Sequence, residues 1–306
     1  MEGREMLPPV EKLERKETRL ELPSVGGTFI GILRNGDDFR GNPKQMAEAE
    51  KVPGGIEIGK LMPSAAAEAR TFSEQQLESL LANLTAEEKA QVDIIVVASD
   101  AKLGSLATKD GSTPAPHQRC VETGKSVLEG IQSAMEKSGL ASTQLLNFKF
   151  HKETPVTEGA QPLVLHDIED IQMRPRTEEY FAFLKEQGKE TGTNMWVAYE
   201  TDVYKEKREE MGVEGPEEIS KRMQAFIERA EKLASGQHQR SPGRRLLALA
   251  IAPRDVVGPW LNIQVSGLPA EGHEVPRIEN LAGFGIAIDP EGKATIKLAG
   301  KQAELS

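Results

Sequence analysis

Three short apolar runs punctuate the chain. Residues 28–33 read Thr-Phe-Ile-Gly-Ile-Leu behind Gly26-Gly27, residues 93–99 read Asp-Ile-Ile-Val-Val-Ala-Ser, and residues 246–252 read Leu-Leu-Ala-Leu-Ala-Ile-Ala. Each is too short for a helix and unbroken by polar residues, so each predicts a strand buried on both faces. Helical spacing fills the intervals. Leu77, Leu80, Leu81 and Leu84 mark a helical region over 64–84, read as one helix or two short ones. Residues 117–137 predict a helix ended by Ser138-Gly139, and 177–187 and 194–211 predict two more. Gly215-Pro216-Glu-Glu218 opens another, with proline and acidic residues suited to a first turn, and residues 255–261 begin a last one. Weaker strands are expected at 145–150 and 162–165. A hairpin is expected near 284–298, turning at Pro290-Glu-Gly292.

Outside these elements, residues 1–24 form an arm of helix-forming composition over 10–22, stopped by Pro23, and residues 39–63 read as an irregular loop. A single α/β domain is expected over 25–306. Alternating strands and helices predict a three-layer α/β/α sandwich with a mainly parallel sheet and a C-terminal hairpin. In such folds ligands sit beyond the carboxyl ends of the strands. Attention therefore falls on the residues just after 33, 98 and 252.

Composition narrows the function. In 306 residues there are 38 Lys+Arg against 48 Asp+Glu, a formal net charge of −10 with a pI near 5.3. That is the wrong sign for a broad grip on nucleic acid, so no nucleic-acid partner is expected. No apolar run approaches a bilayer span and the first residues lack an apolar signal core, so no membrane is expected and the location is read as cytoplasmic. Cys120 is the sole cysteine. His117, His151, His166, His238 and His273 show no metal-ligand spacing, so no metal and no cofactor is expected. Nucleotide-binding glycine motifs are absent from any strand-to-helix turn.

Read in order, the strand ends resemble the histidine phosphatase superfamily, with its phosphoglycerate mutase-like fold. Ile32-Leu-Arg-Asn-Gly36 stands where that family has a strand ending in Arg-His-Gly. Leu61 to Ala69 is similar to its Leu-Thr-x-x-Gly helix opening. Ile94 to Ser99, an inserted loop and His117-Gln-Arg-Cys-Val-Glu-Thr-Gly124 match its strand-then-Arg-Ala-x-x-Thr-Ala pattern. Glu217 to Arg222 and the run through Ala252-Pro-Arg-Asp-Val256 resemble its Glu-x-x-x-Arg helix and final strand. The resemblance spans roughly residues 25–262.

Two departures shape its implications. Asn35 replaces the nucleophilic histidine, and a carboxamide nitrogen with a delocalised lone pair cannot attack phosphorus. Pro253 replaces the second histidine and offers no side-chain donor. The resemblance therefore implies an inactive or impaired phosphatase. Its phosphate-binding candidates are Arg34, Asn35, Arg119 and Arg254, since guanidinium forks match phosphate geometry. Arg119 on its own reads better as a helix-surface partner of Glu122, and only together with Arg34 at a strand end do the two readings stand level. The family's general acid falls in the window 165–170, with Asp167 ahead of Glu169 and Asp170. The expected partner is a phosphorylated or otherwise anionic small molecule, or a protein. Two alternatives stand beside this reading: an active phosphomonoesterase with His117 or His166 as relocated nucleophile, and a structural or interaction protein with a vestigial pocket. Trp196 and Tyr199 read as packing residues.

Overall fold

A computed structural model describes residues 12–36, 43–53, 60–99, 119–141, 144–145, 165–167, 177–240, 243–265 and 277–305. In chain order the strands are β1 (Lys12–Leu13), β2 (Thr28–Arg34), β3 (Val92–Ala98), β4 (Leu165–Asp167), β5 (Arg245–Ala252), β6 (Arg277–Ile278), β7 (Gly283–Ile288), β8 (Ala294–Leu298) and β9 (Lys301–Leu305). The helices are α1 (Pro43–Ala49), α2 (Pro63–Leu81), α3 (Ala86–Ala90), α4 (Arg119–Ser138), α5 (Thr177–Thr191), α6 (Met195–Glu200), α7 (Lys205–Glu210), α8 (Pro216–Arg240) and α9 (Arg254–Val265).

Among the described residues seven strands form one sheet in the order β4-β3-β5-β2-β7-β8-β9, and β1 pairs with β6 in a separate two-stranded ribbon. The three apolar runs are the neighbours β3, β5 and β2, paired in parallel and buried along their length because helices cover both faces. One face carries α2 and α4, whose Leu77, Leu81, Val127 and Ile131 join Phe29, Val96 and Leu249. The other carries α5, α6, α8 and α9, whose Tyr180, Tyr199, Met223, Phe226 and Trp260 join Ile30, Ile32 and Ala250. Local signals agree with these placements. Pro63 opens α2, Thr85 and Glu88 form a reciprocal capping box on α3, and Gly139 at φ 71° closes α4.

The protein is thus a mixed α/β molecule, and it departs from the expectations above in several places. The sheet is parallel only over β4-β3-β5-β2; β2-β7, β7-β8 and β8-β9 are antiparallel. The C-terminal hairpin is real, but it extends the main sheet through β7, and β9 forms the outer edge. Gly283 and Gly285 allow this, because a Cβ at either would strike Ile32 O or the Phe29 ring. Over the described residues 12–22 the expected helix does not form. The described part is β1, a 3-10 turn over Arg15–Glu17 and extended chain, because Leu13 and Leu20 are drawn to opposite faces of the sheet. The stretch 194–211 divides into α6 and α7 at Asp202, whose φ of 52° turns the chain so that its carboxylate accepts two bonds from Arg208. The stretch 39–63, read as a loop, contains α1. Of 145–150, only Leu145 is described, bridging to Ile94; residues 146–150 and 162–164 lie outside the described residues.

Gly130 is where α2 and α4 approach most tightly. A Cβ there would run into the Arg70 carbonyl and Ser73 Oγ, which itself donates 2.9 Å to Val127 O. Gly130→Ala is expected to lower stability by about 1–3 kcal/mol in a denaturant titration, although alanine is intrinsically the better helix former.

Candidate functional site

The parallel half of the sheet brings β2, β3 and β5 to a common carboxyl end. Arg34 is register partner of Ala252, and Ser99 N donates 2.8 Å to Ile251 O, so Arg34, Ala252 and Ser99 form one row across the three strands. Side chains alternate along a strand, and Ile30 and Ile32 lie on the α8/α9 face, so Arg34 belongs to that face. Asn35 then belongs to the α2/α4 face.

Asn35 is 3% exposed, and its backbone N–H donates 3.1 Å to Ala252 O. Its carboxamide donates 2.6 Å to Gly36 O; Gly36 N–H donates 3.0 Å to Thr123 Oγ1, which donates 2.6 Å to Arg119 O. This chain ties the end of β2 to the first turn of α4. A Cβ at Gly36 would stand 2.9 Å from Leu61 Cδ1 and 3.2 Å from Ala65 Cβ, so a side chain there would make Leu61 shift. Pro253 is buried at the end of β5, and its carbonyl accepts from Val256 and Val257 N–H, at 3.1 and 3.2 Å, starting α9.

The arginines diverge in their engagements. Arg34 is half-buried, and its Nη1 donates to Ile278 O. Arg254, 7% exposed, turns into the interior: its Nη1 donates 2.8 Å to Glu200 Oε1, and its guanidinium lies 4.0 Å from the Trp196 ring centroid. Glu200 also accepts from Asn262 Nδ2. Burial pushes the Glu200 carboxyl up to about 7, against the opposing pull of Arg254 and Asn262. Arg119, half-buried at the start of α4, acts on Asp255. That carboxyl is 2% exposed in the first turn of α9, and burial raises it above the usual range. Arg119 supplies the largest opposing charge, ahead of Arg254 and Arg222. Arg222 itself holds Glu214 in a two-point pair of 3.0 and 2.7 Å.

Two buried hydroxyls lie among these groups without a hydrogen-bond partner among the described residues: Ser99 Oγ at the end of β3, and Tyr199 Oη on α6. Burial drives the Tyr199 hydroxyl well above its ordinary range, and Asp255 and Glu200 are the leading charges that add to this.

The structure therefore brings Arg34, Asn35, Pro253 and the first turn of α4 to one end of the sheet. It also shows Arg254 facing Glu200. Asp167 is placed by backbone only, as register partner of Ala98 on edge strand β4, and His166 likewise faces Val97 in register. His117, Glu169 and Asp170 lie outside the described residues. Glu122 is engaged by Leu61 N–H at 2.6 Å and Lys60 Nζ at 3.2 Å. Cys120 is buried in the α2/α4 cluster, and Trp196 and Tyr199 pack edge-on with Phe181. The sequence places Asp255 in the strand-end segment 253–255 without a role, and gives Glu200 no part in the site. The acid directly after Arg254 was the one available signal for Asp255; none marked Glu200. Among the described residues no group of three or more His, Cys, Asp or Glu side chains is placed to hold a metal, and no helix is long and apolar enough to cross a membrane.

No protein-family model matches the chain, and no curated protein matches it in sequence. Among solved structures, the chain is similar to the phosphoglycerate mutase of Bacillus anthracis strain Sterne, at 13% identity and a TM-score of 0.46, over 90% of this chain and 94% of that one.

Proposed function

We propose that this is a histidine phosphatase-like protein that holds a phosphorylated or carboxylated small molecule without transferring its phosphoryl group. The observation that carries the reading is Asn35. It stands at the end of β2, where the sequence pattern puts the nucleophile, and its carboxamide N–H is already donated to Gly36 O. A covalent step needs a free lone pair at that point, and a carboxamide has none to give. Pro253 removes the second imidazole, and without a nucleophile Asp167 has no leaving group to protonate.

Binding is assigned to Arg119, with the Ser99 hydroxyl and the adjacent N–H groups of α4 as neutral donors. Asp255 sets the limit on affinity. An incoming anion competes with this carboxylate for Arg119, so binding is expected in the millimolar range and to strengthen as Asp255 is protonated. A second reading is favoured by the Arg254–Glu200 and Arg34–Ile278 contacts. They leave these two strand-end arginines engaged from within, as in a protein that works through its surface alone.

Titration with inorganic phosphate, followed by amide chemical shifts, separates the readings. Arg119→Ala should weaken binding by about tenfold or more, the value of one lost charge-assisted contact. Aryl phosphate hydrolysis should stay at background. Unaltered affinity in Arg119→Ala removes the anion site and leaves the surface reading. Hydrolysis abolished by His117→Ala or His166→Ala establishes a relocated nucleophile instead.

A further inference from the structure

Residues 12–20 cross the carboxyl end of β2 from one face of the sheet to the other. Leu13, 1% exposed, belongs to the core on the α8/α9 face; Leu20, 4% exposed, belongs to the core on the α2/α4 face and packs against Gly31. Between these two anchors the segment grips the turn after β6. Lys12 and Leu13 pair in parallel with Arg277 and Ile278, and Glu279 N–H donates 3.0 Å to Leu13 O. Arg15 N–H donates 3.2 Å to Glu279 Oε2, and Gly283 N–H donates 2.9 Å to Thr18 Oγ1.

The gripped turn in turn holds Arg34. Ile278 O accepts from Arg34 Nη1, Leu281 N–H donates 3.0 Å to Arg34 O, and Arg34 N–H donates 2.9 Å to Ala282 O. One ribbon residue, Ile278, thus pairs with Leu13 on one side and occupies the Arg34 guanidinium on the other. Resting on the anion-site reading above, we propose that residues 12–20 are a strap that gates the site by keeping Arg34 bound to the Ile278 carbonyl.

The strap is built to open before the fold does. The ribbon it completes has two residues per strand, whereas the main sheet has seven strands. Apart from the Leu13 and Leu20 anchors and the Leu20 N–H bond of 3.1 Å to Gln76 Oε1, several of its ties are ion pairs near water: Lys12 to Glu14 and Glu279 at 2.6 and 2.9 Å, and Arg15 to Glu68 at 2.5 Å. Such pairs hold weakly and are screened by salt. Residues Glu17, Thr18, Arg19 and Glu21 line a surface groove with Lys297 and Lys301, so one side of the segment meets solvent. Local opening of a unit this small is a sub-global event. Once the ribbon parts, Arg34 exchanges a neutral carbonyl for an anion beside Ala252 and Ser99, and a phosphate oxygen is the stronger acceptor. Coupling is reciprocal: anion binding must favour the open strap as strap opening favours the anion.

The test combines hydrogen exchange with inorganic phosphate titration on the full chain. Leu13→Asp should expose residues 277–283 to exchange and tighten phosphate binding by about tenfold, within the usual range of site-to-site coupling. Adding Arg34→Ala to Leu13→Asp should abolish that gain. Glu279→Ala, which removes an exposed anchor and leaves the core intact, should act in the same direction more weakly. Saturating phosphate should speed exchange in 277–283 of the unmodified protein. The strap proposal is overturned if 277–283 stays protected in both variants, or if the gain survives Arg34→Ala. It also falls alone if the unmodified protein binds phosphate and strap opening leaves that affinity unchanged. If the strap opens and no variant binds phosphate, the anion-site reading has failed and takes the gate with it.

Discussion

Arg254→Ala is expected to lower folding stability by about 3–5 kcal/mol near pH 8, because it strands a buried carboxylate. Glu200 is 2% exposed; Arg254 and Asn262 donate to its carboxylate, and of these two Arg254 alone carries positive charge. The loss should shrink on acidification. In the folded protein Glu200 is pushed up to about 7, well above its unfolded value, chiefly by burial. The folded state therefore holds this proton more tightly than the unfolded chain. Stability linked to Glu200 is fully present below its unfolded pKa and is lost as pH rises through the folded one. Without Arg254 the folded pKa climbs further, so the variant suffers most where the unmodified protein keeps Glu200 charged. Urea titrations of both proteins at about pH 5.5 and pH 8 should show the gap widening with pH. A constant gap would mean that the contribution of Arg254 is packing against Trp196 rather than charge.

Trp260→Ala should cost a comparable amount, about 3–5 kcal/mol, as a cavity-forming core truncation. The indole is fully buried and stacks on Phe284 with ring centroids 4.8 Å apart and planes within 7°. That stack fastens α9 to β7 and so fixes the height of Asp255 over the strand ends. No hydrogen-bond partner is found for its Nε1 among the described residues, so Trp260→Phe keeps most of the buried ring area and should lose well under half as much. Thermal denaturation of the two variants checks both values. An equal loss in the two would show that the indole N–H, rather than ring area, is what α9 requires.

The central strands were legible because burial on both faces leaves an unmistakable run of apolar residues, and β2, β3 and β5 fall where 28–33, 93–99 and 246–252 predict them. The 20-residue α4 was legible for a related reason, since Val127, Ile131, Ala134 and Met135 make one stripe. The pairing of the hairpin with β2 was not. It depends on Gly283 and Gly285 meeting Ile32 and Phe29 from the far end of the chain, and local pattern carries no such information. Residues 10–22 read as helical by composition, but over the described 12–22 this is overridden by Leu13 and Leu20 seeking separate cores. At the site, the residue types at 34, 35, 119 and 253 could be read directly. The internal counter-charges could not: Glu200 meets Arg254 across 54 positions, and Asp255 meets Arg119 only through the sheet topology.

The most direct test of the account is the intact mass of the unmodified protein after incubation with acetyl phosphate, with a search for acid-labile phosphate on histidine. The account predicts no acid-labile phosphate on histidine, whatever lysine acetylation the reagent causes, since Asn35 and Pro253 follow β2 and β5. A stoichiometric phosphohistidine at any of the five histidines would contradict it.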